Sequence, residues 1–427
     1  MRDRADLVEQ VDLEHLSQDD SSIVSDGEGG LQAWLTITGS FLVYFASFGY
    51  MNSFGFFQDY YQQHYLSDYA PSLIALIGTL QLGLMYLVGP VAGVLFDAYG
   101  FQGLYAVAAV GSIVSCIGLS FAQSGHIWQQ FLFQGVVFGL TISFGTQSTL
   151  AIAGQHFKKK RSLAMGIVAG GSSAGGVCLP IMFSRLVPQI GFGWSIRVAA
   201  LIFLCCYSTA MVISKQKLPR KPLKSAREIL DFDGYRDLRY CAIAAANFVG
   251  NLGLYIPYYY VEPYFSIAYP NASIRSYLLP LINASSFFGR LCGGYAADHI
   301  GRLNLLYPMT TLSGIISLAM WLPATNPATV IAFTCLYGFC SGIFISVTPS
   351  AVAQISPEEK LGARLGALNI SAMTVLVGTP IGGAFIKNGT VEEYNRLIVY
   401  GGVTTTVAGL LMFVARILCD RDLRKKW

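Results

Sequence analysis

Charge is what this chain has least of. Only 12% of its 427 residues are Asp, Glu, Lys or Arg, against roughly 25% in an ordinary soluble domain, which argues against a mainly water-facing surface. Catalytic and metal-ligand spacings are missing too. The nine cysteines (Cys116, Cys178, Cys205, Cys206, Cys241, Cys292, Cys335, Cys340 and Cys419) form no CxxC pair, and most lie in apolar runs, where Cys packs as a small hydrophobe. Cys419, just past the last apolar run, stands where S-palmitoylation occurs. The five histidines, His15, His64, His126, His156 and His299, are scattered. There is no HExxH, no paired-His cluster and no phosphate-binding Walker loop, so neither an enzyme nor an ATP-driven pump is expected, and no cofactor or metal. A net charge of +4 is too small to argue for nucleic acid. Residues 1–30 are polar and acidic without an early apolar stretch, so they read as a disordered tail rather than a secretory signal.

Apolar residues dominate: 53% of the chain is hydrophobic, with 27 Phe, 24 Tyr and 45 Gly. A hydrocarbon core of roughly 30 Å needs about 20 mostly apolar residues per helix. Such stretches fall near 34–57, 73–96, 103–122, 127–154, 163–187 and 195–214, and again near 241–263, 275–297, 303–323, 328–355, 362–387 and 396–418. The fold class that follows is an all-α membrane protein of twelve transmembrane helices in two pseudo-symmetric six-helix bundles. Its expected parts are a tail at 1–30, a first bundle at 31–214, a loop at 215–240, a second bundle at 241–418 and a tail at 419–427. Placing both tails in the cytoplasm puts 22 of the 28 Lys and Arg on that side, as the positive-inside rule requires. The sequons at Asn271 and Asn388 then lie on outer loops, as candidate glycosylation sites. The 215–240 interval combines Lys217, Arg220, Lys221, Lys224 and Arg227 with Ile229, Leu230 and Phe232. Either a surface helix on anionic lipid or a solvated linker accounts for it.

An internal repeat divides the chain. Gly93-Val94-Leu95-Phe96-Asp97-Ala98-Tyr99-Gly100 ends the second span, and Gly294-Tyr295-Ala296-Ala297-Asp298-His299-Ile300-Gly301 ends the eighth. Both read G-x-x-x-D-x-x-G at an offset of 201, and Gly139–Ser143 matches Gly342–Ser346 at 203. Parallel repeats of this kind are a transporter architecture with substrate held between the halves. Asp97 and Asp298 can accept hydrogen bonds from a neighbouring helix N-terminus, while Gly100 and Gly301 permit a tight turn and Arg302 follows the second. These five residues read as a gate latch that breaks when the halves rock, or more simply as capped turns.

At this point the chain resembles the major facilitator superfamily, in particular its monocarboxylate-porter branch as found in fungi. The likeness covers residues 26–418. It rests on Glu28-Gly29-Gly30-Leu31-Gln32-Ala33-Trp34, on Phe157-Lys158-Lys159-Lys160-Arg161-Ser162-Leu163-Ala164-Met165-Gly166, and on Gly378-Thr379-Pro380-Ile381-Gly382-Gly383. Proton-coupled members are expected to hold a Lys late in the first span and an Asp–Arg pair in the eighth. Here Arg290 stands at the Arg position, Asn52 at that of the Lys and Ser286 at that of the Asp. The resemblance therefore implies a transporter whose coupling proton is open, in a family that includes vitamin carriers and exporters in biosynthetic pathways.

Arg290 is the leading candidate for substrate contact. A guanidinium inside a span is costly and faces a wet cavity or a partner, and Glu262, near the outer end of the seventh span, is the one acid in a comparable position. Arg290 would meet an anionic or carbonyl group, or else snorkel or bond backbone carbonyls. Asn247, Asn251 and Tyr255, four residues apart on one face of the seventh span, either line a cavity or hold helices together. Tyr44, Asn52, Gln134, Thr141, Gln147 and Asn283 offer further polar groups, and Tyr258, Tyr259 and Tyr260 read as interfacial anchors. The expected protein is a monomeric secondary transporter in the lipid bilayer. It moves a small organic solute (an organic acid, a vitamin-like compound or a secondary metabolite) by alternating access. The plasma membrane is the expected place, with the vacuolar membrane open, as are uptake against export and a sensor without flux.

Overall fold

The computed structural model describes residues 29–157, 160–217, 232–272, 274–357, 361–387 and 389–427, and every structural statement below concerns those residues. They are helical almost throughout. The α-helices are α1 (Leu31–Asn52), α2 (Phe54–Tyr60), α3 (Pro71–Tyr99), α4 (Phe101–Ser120), α5 (Ile127–Gln130), α6 (Phe138–His156) and α7 (Arg161–Ile213). Then come α8 (Leu238–Gly253), α9 (Ile256–Ala268), α10 (Leu278–Ile300), α11 (Arg302–Ile316), α12 (Pro327–Ile355), α13 (Leu361–Ala372), α14 (Val375–Ala384) and α15 (Val391–Cys419). By length and composition, nine helical stretches among the described residues can cross a membrane. One of them, Arg161–Ile213, is 53 residues long, far more than the roughly 20 that a single crossing needs. The chain turns within it at Gly191, whose φ of 80° only glycine adopts without strain. The reversal falls in the gap between the spans expected at 163–187 and 195–214, at the glycine, with Pro188 still inside the helix.

Boundaries follow from local chemistry. Gly100 (φ 79°) and Gly301 (φ 106°) close α3 and α10 in the left-handed region, so the next helix starts at once. Asn326 caps α12 by accepting from Thr329 N–H at 2.9 Å, ahead of Pro327 in the first turn. Thr390 and Glu393 form a reciprocal capping box at α15. Asp237 caps α8 and pairs with Arg239 at 2.8 Å, which holds its carboxyl below the ordinary range. Of the basic interval at 215–240, residues 218–231 lie outside the described set, as does the sequon Asn388. Residues Phe232–Arg236 form a 3-10 turn ahead of α8, and Asn271 is exposed between α9 and α10.

The repeat appears in the backbone as well. The first span breaks at Ser53 (φ −79°, ψ 0°) and the seventh at Tyr255 (φ −87°, ψ −6°), a separation of 202 residues. Small residues let the helices close up, as hydrocarbon demands. A Cβ on Gly49 in α1 would lie 2.6 Å from Cα of Gly175 in α7, and one on Gly342 in α12 would lie 2.6 Å from the Ser286 carbonyl in α10.

These contacts predict a contrast. Gly175→Val forces a branched side chain against the Phe45 carbonyl and Gly49 and should destabilise the protein by about 1–3 kcal/mol or more. Gly103→Ala in α4, where an added Cβ meets nothing within 4 Å, should be neutral or raise stability by up to about 1 kcal/mol. Melting temperatures in one detergent check both, and equal values would refute the packing account.

Candidate functional site

The two helix breaks face a common cavity. It is lined by Tyr44, Phe48 and Asn52 from α1, Met85 and Tyr86 from α3, and Gln147 from α6. From the other half come Asn247, Asn251, Tyr255, Tyr258, Arg290, Phe344 and Asn369. About 970 Å³ of space lies within it, open solvent at its mouth included, which is the scale of a small-molecule site. The lining is aromatic and amide-rich, and no carboxylate is among it.

Arg290 is the centre of this lining. Its side chain is 3% exposed. One terminal nitrogen donates to the Ala169 carbonyl and to Ser172 Oγ on α7, while Nε has no hydrogen-bond partner. Among the described residues no carboxylate stands within ion-pair distance. Tyr44, Tyr86, Tyr255 and Tyr258 surround the guanidinium. A buried cation held by one carbonyl and one hydroxyl remains under-compensated, so the site is prepared for an oxygen acceptor.

The amides differ in availability. Asn247 donates to Ser371 Oγ at 2.8 Å, and Asn251 donates to the Asn247 side-chain oxygen at 3.0 Å, so the expected stripe on the seventh span is a connected chain at the cavity wall. Asn52 spans to the Ser172 carbonyl at 3.3 Å. Tyr255 pairs with Tyr86 across the halves. Tyr258, expected as an interfacial anchor, instead lines the cavity and meets Ser341 at 3.0 Å. Two expected ligands lie elsewhere. Gln134 accepts from Tyr61 at 2.6 Å inside the first half, and Asn283 donates to the Leu279 carbonyl at 3.0 Å within its own helix. Tyr86, Ser172 and Asn369 are cavity residues that spacing alone did not single out.

The contact expected of Asp298 is present at one end of the molecule. Asp298 accepts from the N–H of Ser162 at 3.2 Å and of Leu163 at 2.9 Å, the first turn of α7, where the helix dipole favours an anion. Gly294 makes the approach possible, because a Cβ there would lie 2.6 Å from the Ser162 carbonyl. Arg302 pairs with Asp298 at 3.6 Å and donates to Ser162 Oγ at 2.8 Å. Asp97, at the matching end of α3, is also engaged. At the opposite end Asp59 of α2 and Arg275 approach to 4.0 Å, and Glu262 accepts from Leu279 N–H at 3.1 Å at the start of α10.

Comparison with known proteins agrees with this fold. The sequence model of the Major Facilitator Superfamily matches residues 36–324 and 283–426. The chain is 37% identical to MFS-type transporter 1 of Ophiocordyceps sp. (strain BCC 1869), over 91% of this chain and 86% of that one. It is 34% identical to the aspyridones efflux protein apdF of Emericella nidulans (strain FGSC A4), over 92% and 79% respectively. Among solved structures, the human organic anion transporter MFSD10 (TETRAN) shares the fold, with a TM-score of 0.67 at 15% identity over 91% of this chain and 97% of that one.

The latch geometry predicts that Asp298→Asn keeps the protein folded but weakens the contact, since an amide oxygen accepts less strongly than a carboxylate. Charge-assisted bonds of this kind contribute about 1.5–3 kcal/mol, so the distance between labels on Leu163 and Ala297 should broaden toward an open population. An unchanged distance distribution in spin-label measurements would show that Asp298 is only a turn cap.

Proposed function

The chain belongs to the Major Facilitator Superfamily, a family of transporters rather than enzymes, and from that premise we propose that it exports a small organic acid or acidic secondary metabolite by alternating access. The substrate sits in the central cavity with its anionic or carbonyl oxygen on Arg290. The observation that carries this reading is the buried guanidinium without a carboxylate partner, among tyrosines and amides. Asn52, Gln147, Asn247, Asn251 and Tyr255 supply hydrogen bonds around the substrate, and the aromatic walls accept an extended apolar body. Export is favoured by the relative named for aspyridones efflux, and a place in the fungal monocarboxylate-porter branch by the residue motifs quoted above.

The gate reading assigns Asp298, Arg302 and Gly301, with Asp97 and Gly100, to the end that the 22 basic residues place in the cytoplasm. We assign the protein to the plasma membrane as a monomer, with glycosylation at Asn271 as the outward marker. Asn52 and Ser286 replace the Lys and Asp expected of proton-coupled members, so coupling through that pair is absent from this reading. Glu262 is the carboxyl group within the spans available to a coupling proton, and Glu262→Gln would then abolish any dependence of transport on the proton gradient.

Comparative metabolite profiling of medium and cytosol, with and without the gene, tests direction and substrate together. A solute enriched in medium only when the gene is present is the expected result. With that solute as cargo, Arg290→Ala should reduce transport at least about tenfold, the loss of one charge-assisted contact. Thermal stability should stay equal or rise, because an under-compensated buried charge is removed. Unchanged transport would refute the role of Arg290. A large loss of stability would make it structural, and absence of any solute difference would favour a sensor without flux.

A further inference from the structure

The mechanism above leaves the most deeply buried arginine unused. Arg416, in the last turn of α15, is fully buried. Its guanidinium donates to Asn304 Oδ1 and to the carbonyls of Asp420, Asp422 (2.7 Å) and Lys425 (2.9 Å). Asn304 in turn donates through Nδ2 to the Lys425 carbonyl at 2.9 Å and through its N–H to the Trp427 carbonyl at 3.1 Å. Residues 420–427 are thereby folded back onto the turn that joins α10 to α11, so closely that a Cβ on Gly301 would lie 2.5 Å from the Trp427 backbone nitrogen. That same turn carries Asp298 and Arg302.

The outer face of the folded segment is basic. Arg421, Arg424, Lys425 and Lys426 are exposed, and Leu423 is 47% exposed beside them. Lys425 is spent on Asp420 at 3.0 Å, which leaves Arg421, Arg424 and Lys426 against the single carboxylate of Asp422. A solvated basic tail needs no buried arginine holding three of its carbonyls. Fixing the backbone makes sense when the side chains must point in a fixed direction, and at the end of a membrane-spanning helix that direction includes the lipid headgroups.

We propose that residues 420–427 form a docking site for anionic lipid headgroups, and that the docked segment holds the Asp298–Arg302 turn in register with the N-terminus of α7. Each Lys or Arg near an anionic leaflet is attracted by about as much as a surface hydrogen bond contributes, and Leu423 adds an apolar contact. Asn304 and Gly301 carry the constraint inward to the latch. Assigning the site to the inner leaflet rests on the orientation proposed above. The lipid dependence itself does not, because it can be read with the same lipid in both leaflets.

The experiment uses the full chain in nanodiscs of phosphatidylcholine, with or without phosphatidylserine, followed by hydrogen–deuterium exchange. With phosphatidylserine present, amides of residues 298–304 and 161–165 should exchange about tenfold more slowly. The triple variant R421Q/R424Q/K426Q changes only exposed side chains and leaves Arg416 in place. It should show the same exchange elsewhere and lose the response to phosphatidylserine. Equal exchange in the two lipids, or a response that survives in the triple variant, would overturn the proposal. Inorganic phosphate added to neutral nanodiscs should leave exchange unchanged; if it reproduced the protection, the site would bind a soluble anion and lipid docking would be wrong.

Discussion

The halves of this protein meet at one end through a carboxylate seated on the first amides of a helix. Asp298 accepts from Ser162 and Leu163. Such a contact suits a moving part. The N–H groups at a helix start have no partner within the helix, so water satisfies them when the carboxylate leaves. Asp298 keeps Arg302 as a neighbour in either arrangement, because both belong to the same turn. On the latch reading, the cost of breaking this one contact is thus the difference between protein and water partners, of order 1–3 kcal/mol. The glycine at 294 sets the distance at which this exchange is possible.

A second constraint is the lack of compensation in the cavity. Hydrocarbon surroundings require polar groups to pair with one another. Asn247, Asn251 and Ser371 do so in a chain, which leaves them stable without a ligand. Arg290 does not, because Nε is unpartnered. The pre-paired amides hold the shape of the wall with or without a ligand, and on the proposed reading the under-paired cation supplies most of the affinity for a substrate oxygen. A carboxylate beside Arg290 would have stabilised the empty protein and weakened that affinity.

Much of this was legible in the sequence, because the signals were local. The turns at Gly100 and Gly301 follow from G-x-x-x-D-x-x-G, and the latch from a carboxylate placed before a tight turn. The stripe at 247, 251 and 255 was readable from helical spacing. Helix interruptions were not. Nothing at Ser53 announces a break, and at Tyr255 the available signal is the flanking Gly253 and Pro257. Gln134 and Asn283 misled for a physical reason: a buried amide finds either a cavity or a neighbouring helix, and composition cannot distinguish them. Tyr258 misled in the other direction, since Tyr suits both an interface and a cavity wall. Tyr86 and Asn369 escaped notice because each depends on which helices of the two halves face one another.

The duplication also shows where function separated from scaffold. Arg290 stands 201 residues after Gly89, and Asn369 stands 200 after Ala169. In one half a long side chain on α10 reaches the Ala169 carbonyl of α7. In the other, Gly89 on α3 is bare and Asn369 of α13 leans in, so that a Cβ on Gly89 would lie 2.6 Å from its amide nitrogen. Each crossing therefore carries one large polar side chain and one small residue, but supplied from opposite helices. The pattern of one large polar and one small residue is shared by the two crossings, while charge is not. A duplicated frame can then keep its paired G-x-x-x-D-x-x-G turns about two helical turns away and still present a cation on one side of the cavity and an amide on the other. If Arg290 binds the substrate as proposed, that asymmetry gives a polar substrate a single preferred orientation between otherwise similar halves.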